Sequence, residues 1–229
     1  MARFLETFTV TEEDGSWSNS PQPVDTLSAG FSIDTYDICN PDTPETPAEF
    51  DIGSDASPFA IKAYMEVPTR CAPGDIERYV AMAMHSATEY SVTHALWNGA
   101  NGNTSKFVLT DSSVDVIARS GDLFSILGEA LHTAYAKTPH INPVIHLGYQ
   151  SAMSLQFGLS TLNLPFVVAP GYPKDAVAIT GAVTVRLGTI ETTKSVNPSN
   201  NRLQIEATRL ARIEFDPNMA VRVSDSAGS

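Results

Sequence analysis

The sequence is poor in cysteine, in basic residues and in long apolar runs, and each shortage removes a class of protein. Cys39 and Cys71 are the only cysteines among 229 residues. Two thiols cannot build the disulfide framework of a small secreted scaffold, and a reduced pair is expected. Lys and Arg number 14 against 26 Asp and Glu, a net charge of −12. That sign repels phosphate, which argues against a nucleic-acid reader and against docking on an anionic membrane. No stretch approaches the roughly 18 apolar residues of a membrane span. The start, Met1 to Phe8 followed by Glu12-Glu13-Asp14, lacks the apolar centre of a signal peptide, so the expectation is a chain made and used in a cytoplasm, or in something assembled there.

Catalytic motifs are missing as well. There is no Gly-x-Ser-x-Gly elbow, no phosphate-binding Gly-x-x-x-x-Gly-Lys-Ser/Thr loop and no dinucleotide fingerprint. Five histidines, His85, His94, His132, His140 and His146, have no zinc-site spacing. Cys71 precedes a helix start, where a thiol pKa falls, but no local motif supplies a base. The carboxylate pairs Asp34/Asp37 and Asp111/Asp115 are what an acidic chain produces by chance. The expectation is therefore no enzyme, no cofactor and no metal.

What is present is a sequence of distinct segments. Residues 1–28 show no sustained period and carry Pro21, Pro23 and several serines, with Phe4, Phe8 and Trp17 among them. This reads as an extended arm whose aromatics lie either on a neighbouring chain or on its own body. Phe31 to Ile38 and Phe59 to Val67 read as strands, the second alternating strictly, on either side of an acidic, proline-broken stretch. A hairpin this long inside a compact domain is uncommon and usually functional or mobile. Asp75 to Trp97 reads as the longest helix, with Ile76, Tyr79, Val80, Ala83, Ala87, Tyr90 and Ala95 on its apolar stripe and Asn98-Gly99 as its stop. Asp115 to Lys137 reads as a second helix, weakened by Gly121 and Gly128. Residues 143–147 read as a buried strand, 148–157 as a short helix and 166–169 as another strand. Val177 to Leu187 and Leu203 to Phe215 alternate as strands, with Arg209 interrupting an apolar face where a bend or an ion pair is expected. Asp216-Pro217-Asn218 turns into a last strand from Met219 to Val223. The class is α+β.

This order, and above all the ending Glu206-Ala207-Thr208-Arg209 followed by Ile213 to Val223, resembles the major capsid proteins of tailed bacteriophages, which share the Hong Kong 97-type fold. The resemblance implies an N-terminal arm over 1–30 and an E-loop over 31–68. It implies a first part of the P domain with the spine helix over 69–114, an A domain over 115–196, and P-domain strands and tail over 197–229. It implies a shell subunit that forms hexamers and pentamers around double-stranded DNA without binding it specifically. Scaffolding, portal and decoration proteins would be further partners, no membrane would be involved, and the location would be the virion, assembled in the host cytoplasm. The expected intersubunit contacts are Phe4, Phe8, Trp17, Phe31, Ile33, Phe59, Ile61, Lys62 and Met65. Lys62 is the only lysine in the E-loop-like segment, and no Lys–Asn–Glu triple for a covalent intersubunit link can be assigned. An arm and a hairpin that cannot bury themselves at home suit pairing across neighbours, closed by rotational symmetry into a shell. An encapsulin-type nanocompartment subunit and another virion head component are the alternatives of the same kind. A cytoplasmic hydrolase using Cys71 or a histidine pair is the alternative of a different kind.

Overall fold

A computed structural model describes residues 9–13, 58–72, 74–100, 108–139, 141–197, 199 and 201–224. Two sheets and three helices account for most of them. The strand expected at Phe31 to Ile38, and the tip of its hairpin, lie outside the described residues.

The first sheet has strand order β1-β7-β8-β2: β1 (Thr9–Glu13), β7 (Thr184–Asn197), β8 (Arg202–Glu214) and β2 (Phe59–Pro68). The long strands pair antiparallel, and β1 adds parallel to β7 from Thr9↔Thr184 to Glu13↔Gly188. The arm is therefore not unpacked throughout: its residues 9–13 lie on the chain's own body. One face of this sheet packs on helix α1 (Ile76–Asn98), which at about 1.5 Å per residue is close to 35 Å long. Leu203, Ile205, Ala207, Ala211 and Ile213 of β8 are buried on that face with Ile61 of β2. The other face, with Lys62, Tyr64, Gln204, Glu206 and Thr193, is polar. One buried face and one wet face is the reason these strands alternate in sequence.

The stripe of α1 differs from the expected one. Its buried line is Ile76, Val80, Met84, Thr88 and Val92, ending in Leu96 and Trp97. Tyr79 and Tyr90 are each 52% exposed, and Ala83 is exposed. Both lines satisfy the i, i+4 rule. Thr88 belongs inside because its hydroxyl donates to the Met84 carbonyl at 2.8 Å, which hides its polarity.

The second sheet has order β3-β9-β6-β4-β5: β3 (Asp115–Ala118), β9 (Val221–Ser224), β6 (Val177–Thr180), β4 (Val144–Leu147) and β5 (Phe166–Val168). Helices α2 (Leu123–Lys137) and α3 (Tyr149–Leu162) pack on one face, over Ile145, Leu147, Ile179 and Val221. Val144, Val167 and Ala178 face the other core, with Trp97 and Tyr172. Burial on both faces explains why β4 and β6 read as continuous apolar runs.

Two expectations are corrected here. Residues 115–137 are not one helix. Asp115–Ala118 form a strand, Gly121 turns at φ 94°, and Asp122 restarts the chain as the α2 cap, accepting from the Phe124 and Ser125 N–H groups at 3.0 and 3.1 Å. The stretch 177–187 is two strands in two different sheets, separated near Gly181. A period-2 pattern carries no mark of which sheet a strand joins. β7 runs with β8, while the C-terminal β9 pairs with β3 and β6.

Candidate assembly surface

The four-stranded sheet is longer than its cover. On β7 the α1-side residues Thr192, Lys194 and Val196 are register partners of Ala207, Ile205 and Leu203. Those three β8 residues are buried, yet Thr192 and Lys194 are exposed and Val196 is 55% exposed. The helix lies over β8 and β2 and stops short of distal β7, where Lys194 reaches Glu77 of α1 at 3.2 Å. Among the described residues the edge of β7 is open there as well. β1 ends opposite Gly188, and among the described residues nothing pairs with the outer edge from Ile190 to Asn197. An open strand edge offers its N–H and C=O groups to another chain.

The end of β1 is built with care. Opposite Leu210, next to Arg209, the β7 ladder carries one extra residue, between Leu187 and Ile190, a bulge that turns the Gly188 carbonyl toward Arg209. Arg209 is only 4% exposed. Its Nε donates to Gly188 O at 2.9 Å and its Nη2 to Glu12 Oε1 at 2.5 Å. Of the bend or ion pair expected at this position, the ion pair occurs, and the irregularity lies in the neighbouring strand β7. A groove of about 610 Å³ lies beside this pair, between α1 and the sheet; His85, Glu89, Tyr149 and Leu187 are among its walls.

The expected contact residues separate into three groups. Phe4, Phe8, Trp17, Phe31 and Ile33 lie outside the described residues. Ile61 is corrected: at 5% exposure it belongs to the subunit's own core, because β2 turns its odd residues toward α1. Phe59 is half-buried against that core, while Lys62 and Met65 are exposed. Lys62 Nζ sits 2.8 Å from Glu206 Oε1, and this bond, with a second from Thr208, holds the Glu206 carboxyl below its ordinary range. Sequence reading missed the exposed apolar residues Tyr79, Met82 and Tyr90 on α1, Val196 on β7, and Phe124, Tyr149 and Met153 on α2 and α3. The signal for the α1 group was the second i, i+4 line through Met84 and Thr88.

The catalytic candidates scatter. His85, His94 and His132 are exposed, with His94 stacked on Tyr90 at 5.8 Å. His140 and Cys39 lie outside the described residues, and Cys71 is exposed. Asp111 accepts from Ser113, and Asp115 pairs with Lys137 at 2.7 Å, so these two carboxylates serve different partners. His146 is fully buried between Tyr172 OH on Nδ1 and Thr180 Oγ1 on Nε2, both at 2.7 Å. Thr180 gives its only proton to the Gly181 carbonyl at 2.8 Å, so Nε2 carries the hydrogen and Nδ1 accepts from the tyrosine. Burial lowers the His146 pKa to about 3. This is the hydrogen-bonded pattern of a neutral core histidine.

No family model and no curated protein matches the sequence. Solved structures do match the fold. A virus-like particle from Pyrococcus furiosus aligns over 97% of this chain and 92% of its own, with 11% identity and a TM-score of 0.62. The capsid of a native GTA particle aligns over 96% and 89%, with 11% identity and a TM-score of 0.61. Gordonia phage Cozz aligns over 86% and 80%, with 12% identity and a TM-score of 0.60. The chain has the Hong Kong 97-type capsid fold, which is the α+β architecture the sequence resemblance implied.

Proposed function

We propose that this chain is the major capsid protein of a tailed bacteriophage or a phage-like particle, a non-enzymatic subunit that binds copies of itself into a closed shell. The observation that carries the reading is the near-complete alignment with proteins that form shells, at 97% and 96% of this chain for the virus-like particle and the GTA capsid. The open β7 edge and the uncovered apolar residues support it, since both are costly on a subunit that stays alone. In this reading α1 and the four-stranded sheet form the peripheral body, and the five-stranded sheet with α2 and α3 forms the axial one. β1 and β2 pack on the chain's own body; beyond them the arm over 1–30 and the E-loop over 31–68 are the segments proposed to contact neighbours, with Phe59, Lys62 and Met65 at the root of the contact. Hexamers and pentamers close the shell around double-stranded DNA, and the net charge of −12 lets the packed duplex lie against it without sticking. Scaffolding, portal and decoration proteins are the further partners, and the virion is the location. Electron microscopy of the purified chain tests this: closed, uniform particles are expected, and a monodisperse monomer at every protein concentration overturns it.

A further inference from the structure

At its β3 margin the five-stranded sheet runs out of cover on one face. Ile117 of β3 and Val221 and Val223 of β9 point into the core under α2 and α3. Side chains alternate along a strand, so Val116 and Arg222 point the other way. They are register partners, and Arg222 is also the partner of Ala178 in β6. Ala178 is buried in the core that holds Trp97 and Tyr172. At the sheet edge, however, Val116 is 41% exposed, and Ala118 and Ser224 on the same face are half-buried.

Arg222 stands half-buried in this strip without a counter-charge. Its Nε is enclosed and has no hydrogen-bond partner, and among the described residues no ion pair reaches its guanidinium. The other buried or half-buried arginines among them are engaged: Arg186 and Arg212 on Glu214, Arg209 on Glu12, and Arg119 on the Asp175 carbonyl. An enclosed donor with no acceptor is costly, and a carboxylate brought to it removes that cost. On the opposite face of the sheet α2 turns its outer side to solvent. Phe124 is 49% and Tyr135 38% exposed, and Gly128, Glu129, His132 and Ala136 are exposed with them. Glu129 is the one Asp, Glu, Lys or Arg between Leu123 and Ala136, and among the described residues nothing pairs with it. The polar side of a surface helix ordinarily carries several charges.

We infer that the outer side of α2 in a second copy docks on the strip of Val116 and Arg222, with the partner's Glu129 closing on Arg222. The two surfaces are complementary. One offers an unpaired cation beside a valine and two small residues; the other offers an unpaired carboxylate among aromatic and small residues. They lie on opposite faces of one sheet, so a pair of copies leaves one surface of each kind open. The contact is therefore head-to-tail and repeats from copy to copy until a ring closes. It deepens the shell reading and rests on it.

The test is a charge swap in the full chain, read by particle yield and by the thermal midpoint of the unassembled subunit at low concentration. Arg222→Glu alone and Glu129→Arg alone set like charges against each other across the contact, and each should lower particle yield at least about tenfold. The double swap should restore most of the yield. Arg222→Met keeps an apolar stem without the charge and serves if Arg222→Glu does not fold. It should lower the yield less, and adding Glu129→Gln should lower it no further. Subunit midpoints of Arg222→Met and Glu129→Arg should stay within about 2 °C of wild type, since neither charge has a partner at home. Single swaps that assemble like wild type overturn the inference, as does a double swap no better than either single. A subunit midpoint that falls in step with particle yield gives Arg222 a role in the fold and overturns it too. So does a wild-type subunit midpoint that rises in acetate over chloride and loses that rise in Arg222→Met, because the strip then takes an anion from solution. Wild-type particles with neutral swaps leave the shell reading standing. A wild type that stays monomeric at every concentration sinks that reading, and the contact with it.

Discussion

The two sheets of this subunit solve the same problem to different degrees. In the five-stranded sheet, β4 and β6 are buried along all four residues, and side chains of alternating parity feed two separate cores. In the four-stranded sheet, β7 is buried from Val185 to Gly188, apart from half-buried Arg186, and exposed from Glu191 to Val196. Short strands between covered faces finish inside one chain. Strands of 13 and 14 residues outrun a single covering helix, and their far end is left for something else to complete. In the proposed shell, the closed sheet would carry the stability of the single chain and the longer one would be left for assembly.

The largest expected effect sharpens the closed side. An unfolded chain takes up a proton on His146 near pH 6.5, whereas burial holds the folded histidine neutral down to about 3. Its contribution is complete above pH 6.5 and is lost as the pH falls toward 3, on the order of 5 kcal/mol in all. Urea unfolding across this range checks it. His146→Gln should flatten that part of the pH profile, and an unchanged slope would mean that another group sets it.

A middle effect concerns the junction between the two halves of β7. Glu12→Ala removes the partner of buried Arg209 while the Gly188 carbonyl remains. The carboxylate is mostly exposed, so the loss should be about 1 kcal/mol. Faster proteolysis within residues 9–13 is expected as β1 lifts from the edge. A protected β1 in this variant would show that the main-chain ladder alone holds it.

The smallest effect on the subunit should be the largest on the particle. Tyr90→Ser and Val196→Ser should change subunit stability by no more than about 0.5 kcal/mol, because both side chains are exposed at home. Particle yield should fall. A loss of several kcal/mol in the subunit would instead place these side chains in a core and erase the contrast between the sheets.

Much of the architecture was legible in the sequence, for reasons that differ by element. The long helix was readable because Asp75 and Gly99 bracket an uninterrupted apolar period, and its ends match to within a residue. The strand β8 was readable because six alternate residues from Leu203 to Ile213 face one core. The face of α1 was less readable, since tyrosine, alanine and methionine fit two neighbouring lines and only packing chooses between them. The division of 177–187 between two sheets depends on which partner each half meets, and local pattern holds no record of that. Of the candidate surface, β2 was visible from its alternation, although Ile61 turned out to face inward. The open edge of β7 was invisible, because it is defined by where β1 stops.

In the proposed shell the distal half of β7 is completed by other copies of the chain. Backbone hydrogen exchange on assembled particles tests this most directly, at the amides between Ile190 and Asn197 that face away from β8. Protection comparable to that of the amides β1 covers between Thr184 and Gly188 is predicted. Exchange at the rate of an open strand edge, in particles that are otherwise intact, would contradict it.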